Sequence, residues 1–146
     1  MALTFKEKCK RSNDMKIQIE DSVFSCKRGV YGIFIIKNGC KSCSYVGKSE
    51  QLVIRAEKHK LDIENGKHVS SLIAAYKDPK ATILISLLEG VPYCFDNYYK
   101  DAQRLASAEN YWIDKYQGMN QCLEQVPEGK RPSIDAWENM KLSQNN

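Results

Sequence analysis

At 146 residues the chain is one domain's length, long enough for a real core and too short for two full domains. Its net charge of +4 is uneven: residues 1–80 hold 16 Lys/Arg against 9 Asp/Glu (+7) and residues 81–146 hold 6 against 9 (−3), so positive charge gathers in the first half, as a polyanion-binding protein needs and as a merely solubilised surface also allows. No apolar run approaches the roughly 18–20 residues of a membrane helix, and the first residues lack a signal-type apolar core, so the expectation is a soluble cytoplasmic protein with no membrane partner.

Residues 1–28 begin with Lys6, Lys8, Lys10 and Arg11, in a stretch read as a short helix over residues 3–10. Met15, Ile17 and Ile19 then alternate with polar residues, the pattern of an edge strand. Two apolar runs, residues 30–36 and 43–46, flank Asn38-Gly39, a dipeptide that favours positive φ at both central positions of a hairpin turn. After Gly47 the period changes. Leu52, Val53, Ala56, Leu61 and Ile63 recur as on a helix that stops near Gly66, with Ser49 as its expected N-cap and Glu50 as a favourable first-turn charge.

Ser70 or Ser71 is placed to cap a short helix through Tyr76, stopped by Pro79. The near-continuous apolar run at residues 81–88 predicts a central strand packed on both faces. Gly90, Pro92 and Asn97 mark a loop, and Tyr93, Phe95, Tyr98 and Tyr99 are expected to pack over the sheet rather than stack near a substrate. A helix over residues 101–116 presents Leu105, Ala108, Trp112, Ile113 and Tyr116 as its apolar stripe, and Gly118 ends it before Asn120 in a GMNQ turn. Pro127, Gly129 and Pro132 precede a weakly apolar segment over residues 134–142 anchored by Trp137, and the terminal SQNN is expected to fray. The expected organisation is an extension (1–28), a domain (29–121) and a tail with a short helix (122–146). The fold class is α/β (α+β): a small, mainly antiparallel sheet of about three strands flanked by helices.

The hairpin carries a tyrosine on each arm, Tyr31 and Tyr45, beside glycines that leave room for a ligand's backbone, and Lys48 at its exit. Arg55 and His59 stand one helical turn apart and share a face. Phenols, Lys, Arg and His converging at one hairpin mouth suit a phosphate; an apolar core does not select them. Register sets a condition on this pocket. A strict two-residue turn puts Lys37 opposite Cys40 and Tyr31 opposite Val46, which turns Tyr45 to the other face. For the tyrosines to share a face, the hairpin needs an odd loop or a bulge, expected between Lys37 and Ser44.

Glu109 falls inside the apolar stripe, four residues after Leu105 and four before Ile113. A carboxylate there is costly unless paired or bound to a cation, so it is either salt-bridged or a metal ligand, and the second reading is preferred. Asn120 is either a site residue or a turn residue. Of six cysteines, Cys40 and Cys43 have the spacing of half a zinc knuckle, but no second pair of similar spacing follows, and free thiols are expected.

Gly29-Val30-Tyr31 and Tyr45-Val46-Gly47, followed by Lys48 and Arg55, resemble the GIY-YIG nuclease superfamily. His59 and His68 are similar to those of the homing endonucleases, both the phage free-standing and the intron type. The resemblance spans roughly residues 28–121, although the thirteen residues between Tyr31 and Tyr45 exceed the family's usual spacing. It implies the GIY-YIG fold and a metal-dependent endonuclease acting on double-stranded DNA with one Mg²⁺ or Mn²⁺. In that reading Tyr31 takes the proton from the attacking water, its pKa lowered by Lys48, Arg55 and His59. Arg55 binds the scissile phosphate, Glu109 holds the metal, and Tyr45, Lys48 and His59 orient the phosphate or relay protons. His68 joins Lys48 and Arg55 in contacting DNA, and Asn120 braces the site. The implied setting is the cytoplasm of a bacterial or phage-infected cell, with homodimerisation left open. The alternatives are a restriction or structure-specific repair nuclease with the same centre, a catalytically silent DNA-binding module, and a zinc-stabilised protein-interaction module.

Overall fold

The computed structural model describes residues 16–125 and 133–144. The helix expected over residues 3–10, the loop prolines Pro127 and Pro132, the Trp137 side chain and the last two residues lie outside what is described. Four strands, β1 (Ile17–Ile19), β2 (Gly29–Lys37), β3 (Cys40–Ser49) and β4 (Ala81–Gly90), form one mixed sheet in the order β1-β4-β2-β3. β1 runs parallel to β4, and β2 pairs antiparallel with both β3 and β4. The expected three-strand antiparallel unit is present, and Ile17–Ile19 of the alternating segment add the fourth strand at one edge. Helices follow as α1 (Leu52–Glu64), α2 (Ser70–Lys77), α3 (Tyr98–Gln117) and α4 (Ile134–Gln144). Among the described residues, no helix is long and apolar enough to cross a membrane.

The sheet separates two apolar layers. On one face Tyr31, Ile33, Ile83 and Ile85 pack against Leu52, Ala56 and Ile63 of α1 and Leu72 and Ala75 of α2. On the other, Val30, Phe34 and Val46 pack against Leu105 and Ile113 of α3. β2 is buried through its first six residues because both neighbouring strands and both helical layers cover it. The run at residues 81–88 forms the other interior strand, although Thr82 is exposed.

The hairpin turn is the tight one expected: Asn38 and Gly39 have φ of 53° and 76°, and Lys37 faces Cys40. The irregularity comes at Ser44. Cys43 pairs with Phe34 and Tyr45 with Ile33, so Ser44 is the extra residue of a bulge, at the end of the predicted interval. From there on Tyr31 faces Gly47, and both tyrosines lie on the α1 side.

Helix boundaries differ from the expected ones for identifiable reasons. Gln51, not Ser49, holds the N-cap position of α1: the Leu52 N–H is taken by the Lys27 carbonyl at 2.9 Å, and Ser49 Oγ accepts from Gln51 N at 2.9 Å in a turn before the helix. Leu61 is exposed, while His59 occupies the buried stripe beside Ala56 and Ile63. α2 has no cap from its own serines. The Glu124 carboxylate, from far along the chain, accepts from the Ser70 and Ser71 N–H groups at 3.2 and 3.1 Å. α3 starts at Tyr98 because the Asn97 side chain accepts from Lys100 N at 3.1 Å. The aromatics expected to cover the sheet do not: Tyr93, Phe95, Tyr98 and Tyr99 are all exposed.

Candidate active site at the β3 edge

Tyr31, the third residue of β2, projects over the neighbouring strand at Gly47, where an added Cβ would collide with the phenol ring and hydroxyl. The ring is 1% exposed. Its hydroxyl lies 2.5 Å from His59 Nε2, and the His59 ring sits 5.2 Å, centroid to centroid, from both Tyr31 and Tyr45. His59 Nδ1 lies 2.8 Å from His68 Nε2, and the Val69 N–H donates to His68 Nδ1 at 2.8 Å.

The backbone amide orients this whole string. Because Val69 donates to Nδ1, a neutral His68 carries its hydrogen on Nε2 and donates to His59 Nδ1. A neutral His59 then carries its hydrogen on Nε2 and donates to the Tyr31 hydroxyl oxygen. The string therefore aims donors at Tyr31 and cannot accept its proton. Both imidazoles are held neutral. Burial, then the neighbouring His68 and Arg55, pushes His59 down to about 3, and burial also lowers His68.

Arg55, one turn before His59, is solvent-exposed and acts on both phenols. It does not prevail. Burial, followed by the Tyr45 phenol, holds Tyr31 well above the ordinary range of a tyrosine, and burial raises Tyr45 as well. The expectation of a Tyr31 pKa lowered by Lys48, Arg55 and His59 is thus corrected: among the causes Arg55 alone lowers it, and desolvation outweighs that pull.

Glu109 reaches this group from the other layer. α3 lies on the face opposite α1, and Lys48, opposite Val30 in register, is on the α3 face too. β3 is the sheet's edge, so side chains from both faces can meet around it. Glu109 is 8% exposed, and its Oε1 lies 3.3 Å from Lys48 Nζ. Its charge acts on both phenols, in the direction that raises them. The buried acid is therefore ion-paired, and its charge is felt by both tyrosines.

Asn120 is not brought into this group. It is exposed, with φ of 60° and its N–H donated to the Gln117 carbonyl at 3.0 Å, which is the turn role. The residues after it brace the edge strand instead. Gln121 Oε1 accepts from Cys43 N at 2.6 Å, Gln125 Oε1 accepts from Val46 N at 2.7 Å, and the Gln125 amide donates to the Val46 carbonyl. Sequence reading passed over these glutamines, since nothing local distinguishes them from other surface amides.

Among the described residues no group of three or more His, Cys, Asp or Glu side chains could hold a metal. Cys40 is exposed, whereas Cys43 is buried against Cys122, whose hydrogen-bonded thiol, together with burial, pushes the Cys43 thiol far up. The C-x2-C pair is thus split between two environments. What the site offers a cation is one carboxylate and phenolic oxygens, a set that suits a hard divalent ion completed by water and phosphate oxygens, not zinc. No protein-family model matches the chain, and neither a curated protein nor a solved structure matches it.

Proposed function

We propose that the chain is a metal-dependent DNA endonuclease that hydrolyses phosphodiester bonds in the manner of the GIY-YIG nucleases. The observation that carries this reading is the bulge at Ser44, which puts Tyr31 and Tyr45 on one face, against His59 and His68 and within reach of Arg55. A packing role alone gives no reason to gather two phenols, two imidazoles and a guanidinium beside one edge strand.

Arg55 binds the scissile phosphate, its planar fork matching two phosphate oxygens. Lys48 steers the phosphate and neutralises it in part. Tyr31 accepts the proton of the attacking water in its ionised form, and Arg55 favours that form. Burial keeps the phenol protonated in the free protein, so the reactive state needs the added positive charge of the assembled complex. Glu109 would hold Mg²⁺ or Mn²⁺, which supplies charge stabilisation for the departing oxygen. A homodimer would present two such sites to double-stranded DNA.

The Lys48–Glu109 ion pair and the raised phenols favour a second reading, a DNA-binding module with no catalysis. A plasmid-nicking assay separates the two. With Mg²⁺ the wild type should convert supercoiled to open-circular DNA and with EDTA it should not, and Arg55→Ala and Glu109→Ala should both be inactive. Undiminished cutting by Glu109→Ala would falsify the metal assignment, and binding without any cutting by the wild type selects the silent module.

A further inference from the structure

A second surface, which the proposed chemistry leaves unused, lies on the loop between β4 and α3 and on the first turn of α3. Tyr93, Phe95, Tyr98 and Tyr99 are 62, 46, 76 and 79% exposed and fall within seven residues of one another. Rings on a slack loop would fold inward, but this loop is held open by buried charge. Arg28, almost wholly buried, donates to the Val91 and Asp101 carbonyls at 2.7 Å each, and its guanidinium carbon lies 4.4 Å from the centre of the Tyr93 ring. Among the described residues its Nε has no hydrogen-bond acceptor, and it faces the Glu50 carboxylate at 3.8 Å. The buried Asp101 carboxylate accepts from Cys94 and Phe95 N–H at 2.9 and 3.1 Å, and Arg104 donates to the Pro92 carbonyl at 2.7 Å. Apolar area presented on so fixed a support marks a binding surface.

Its chemistry narrows the partner. Phe95, Tyr99, Lys100, Gln103 and Arg104 line an open depression, with no aliphatic side chain among them, and Lys100 Nζ lies 5.8 Å from the Phe95 ring centre. Asp101 is turned inward onto the loop backbone, leaving Asp96 as the loop's exposed acid. Protein-binding faces avoid lysine, which here sits among the rings. Rings interleaved with cations suit an unpaired nucleic-acid strand, whose bases stack on the rings while its phosphates meet Lys and Arg. Tyr99 and Glu109 share α3, ten residues and so about 15 Å apart, a length that four or five stacked nucleotides cover at about 3.4 Å each.

We propose that this loop and the first turns of α3 form a stacking platform for an unpaired strand, so that the substrate is DNA with a single-stranded segment beside the cleaved strand. Strand binding stands on the platform alone; the link to cleavage rests on the proposed function.

Fluorescence anisotropy with a labelled oligothymidylate in EDTA tests it. The wild type should bind, Tyr99→Phe should bind as well as wild type, and the double variant Phe95→Ala/Tyr99→Ala should bind about tenfold more weakly or worse. In Mg²⁺ the double variant should lose the preference for a duplex with an unpaired tail over a blunt duplex. Equal oligothymidylate binding by wild type and double variant overturns the platform, whatever the cleavage result. A binding difference in a protein that cuts no DNA keeps the platform and removes the nuclease. Binding of oligouridylate but not oligothymidylate overturns the assignment to DNA. An altered oligomeric state with unchanged strand binding assigns the face to a second copy and also overturns the proposal.

Discussion

His59 is a histidine held neutral by its surroundings, and that has a measurable consequence in acid. Its folded-state pKa is about 3, while an unfolded histidine titrates near 6.5. Between those values the unfolded chain binds a proton that the folded chain refuses, so stability is fully present above the upper value and is lost as pH falls through the window. The slope approaches about 1.4 kcal/mol per pH unit, and His68, also lowered, adds to it with the same sign. The urea midpoint should therefore drop steeply from about pH 7 to about pH 4, and His59→Asn should flatten the drop. An equally steep fall in the variant would point to another group. Tyr31→Phe removes both the acceptor of the His59 N–H and the proposed base, so cleavage should fall by about 100-fold or more. In Mg²⁺ the wild-type rate should climb with pH through the alkaline range, and the residual activity of the Tyr31→Phe variant should not follow it. The residue types and their spacing made Tyr31, Tyr45, Arg55 and His59 legible in the sequence. The sign of the Tyr31 shift was not, because desolvation depends on how β2, β3 and α1 close around the ring.

At the level of elements, the hairpin was readable and the helix ends were not. Asn38-Gly39 dictates its own φ values, and the requirement that two tyrosines share a face then demands one extra residue, which Ser44 supplies. The start of α1 depends on the Lys27 carbonyl and the cap of α2 on Glu124, partners that no local pattern announces. The exposure of Tyr93 and Phe95 is not legible for the same reason: Arg28 and Asp101, which fix the loop that carries them, are distant in sequence from each other. One glycine connects the hairpin to the chemistry. A methyl group at Gly47 would meet the Tyr31 ring and hydroxyl, and that ring is pinned from behind by His59. Gly47→Ala should therefore cost about 1–3 kcal/mol by overpacking and displace the phenol from its place against His59. Its expected signature is a lowered melting temperature together with cleavage reduced far beyond what the unfolded fraction explains. Wild-type cleavage by Gly47→Ala would mean that Tyr31 is not needed where it stands.

Considered as a whole, the molecule builds its candidate site at an edge that it must also protect. Among the described residues β3 has β2 on one side and no strand on the other, and such an edge invites pairing with another chain. Residues 121–125 lie along it in place of a strand. Gln121 takes the Cys43 N–H, the Gln125 side-chain amide pairs with both backbone groups of Val46 as a neighbouring strand would, and the Cys122 N–H reaches the Cys43 carbonyl at 3.1 Å. Val46 lies between Tyr45 and Gly47, so the same contacts steady the strand that carries the site. Replacing both glutamines with alanine removes three of these bonds and leaves backbone groups of β3 without partners. At about 1 kcal/mol for each bond, Gln121→Ala/Gln125→Ala should lose about 2–3 kcal/mol of stability by urea unfolding. The bared edge should also associate, giving a sedimentation coefficient that rises with protein concentration where the wild type's does not. A double variant as stable as wild type, sedimenting the same way at every concentration, would show that the edge is guarded by something other than these side chains.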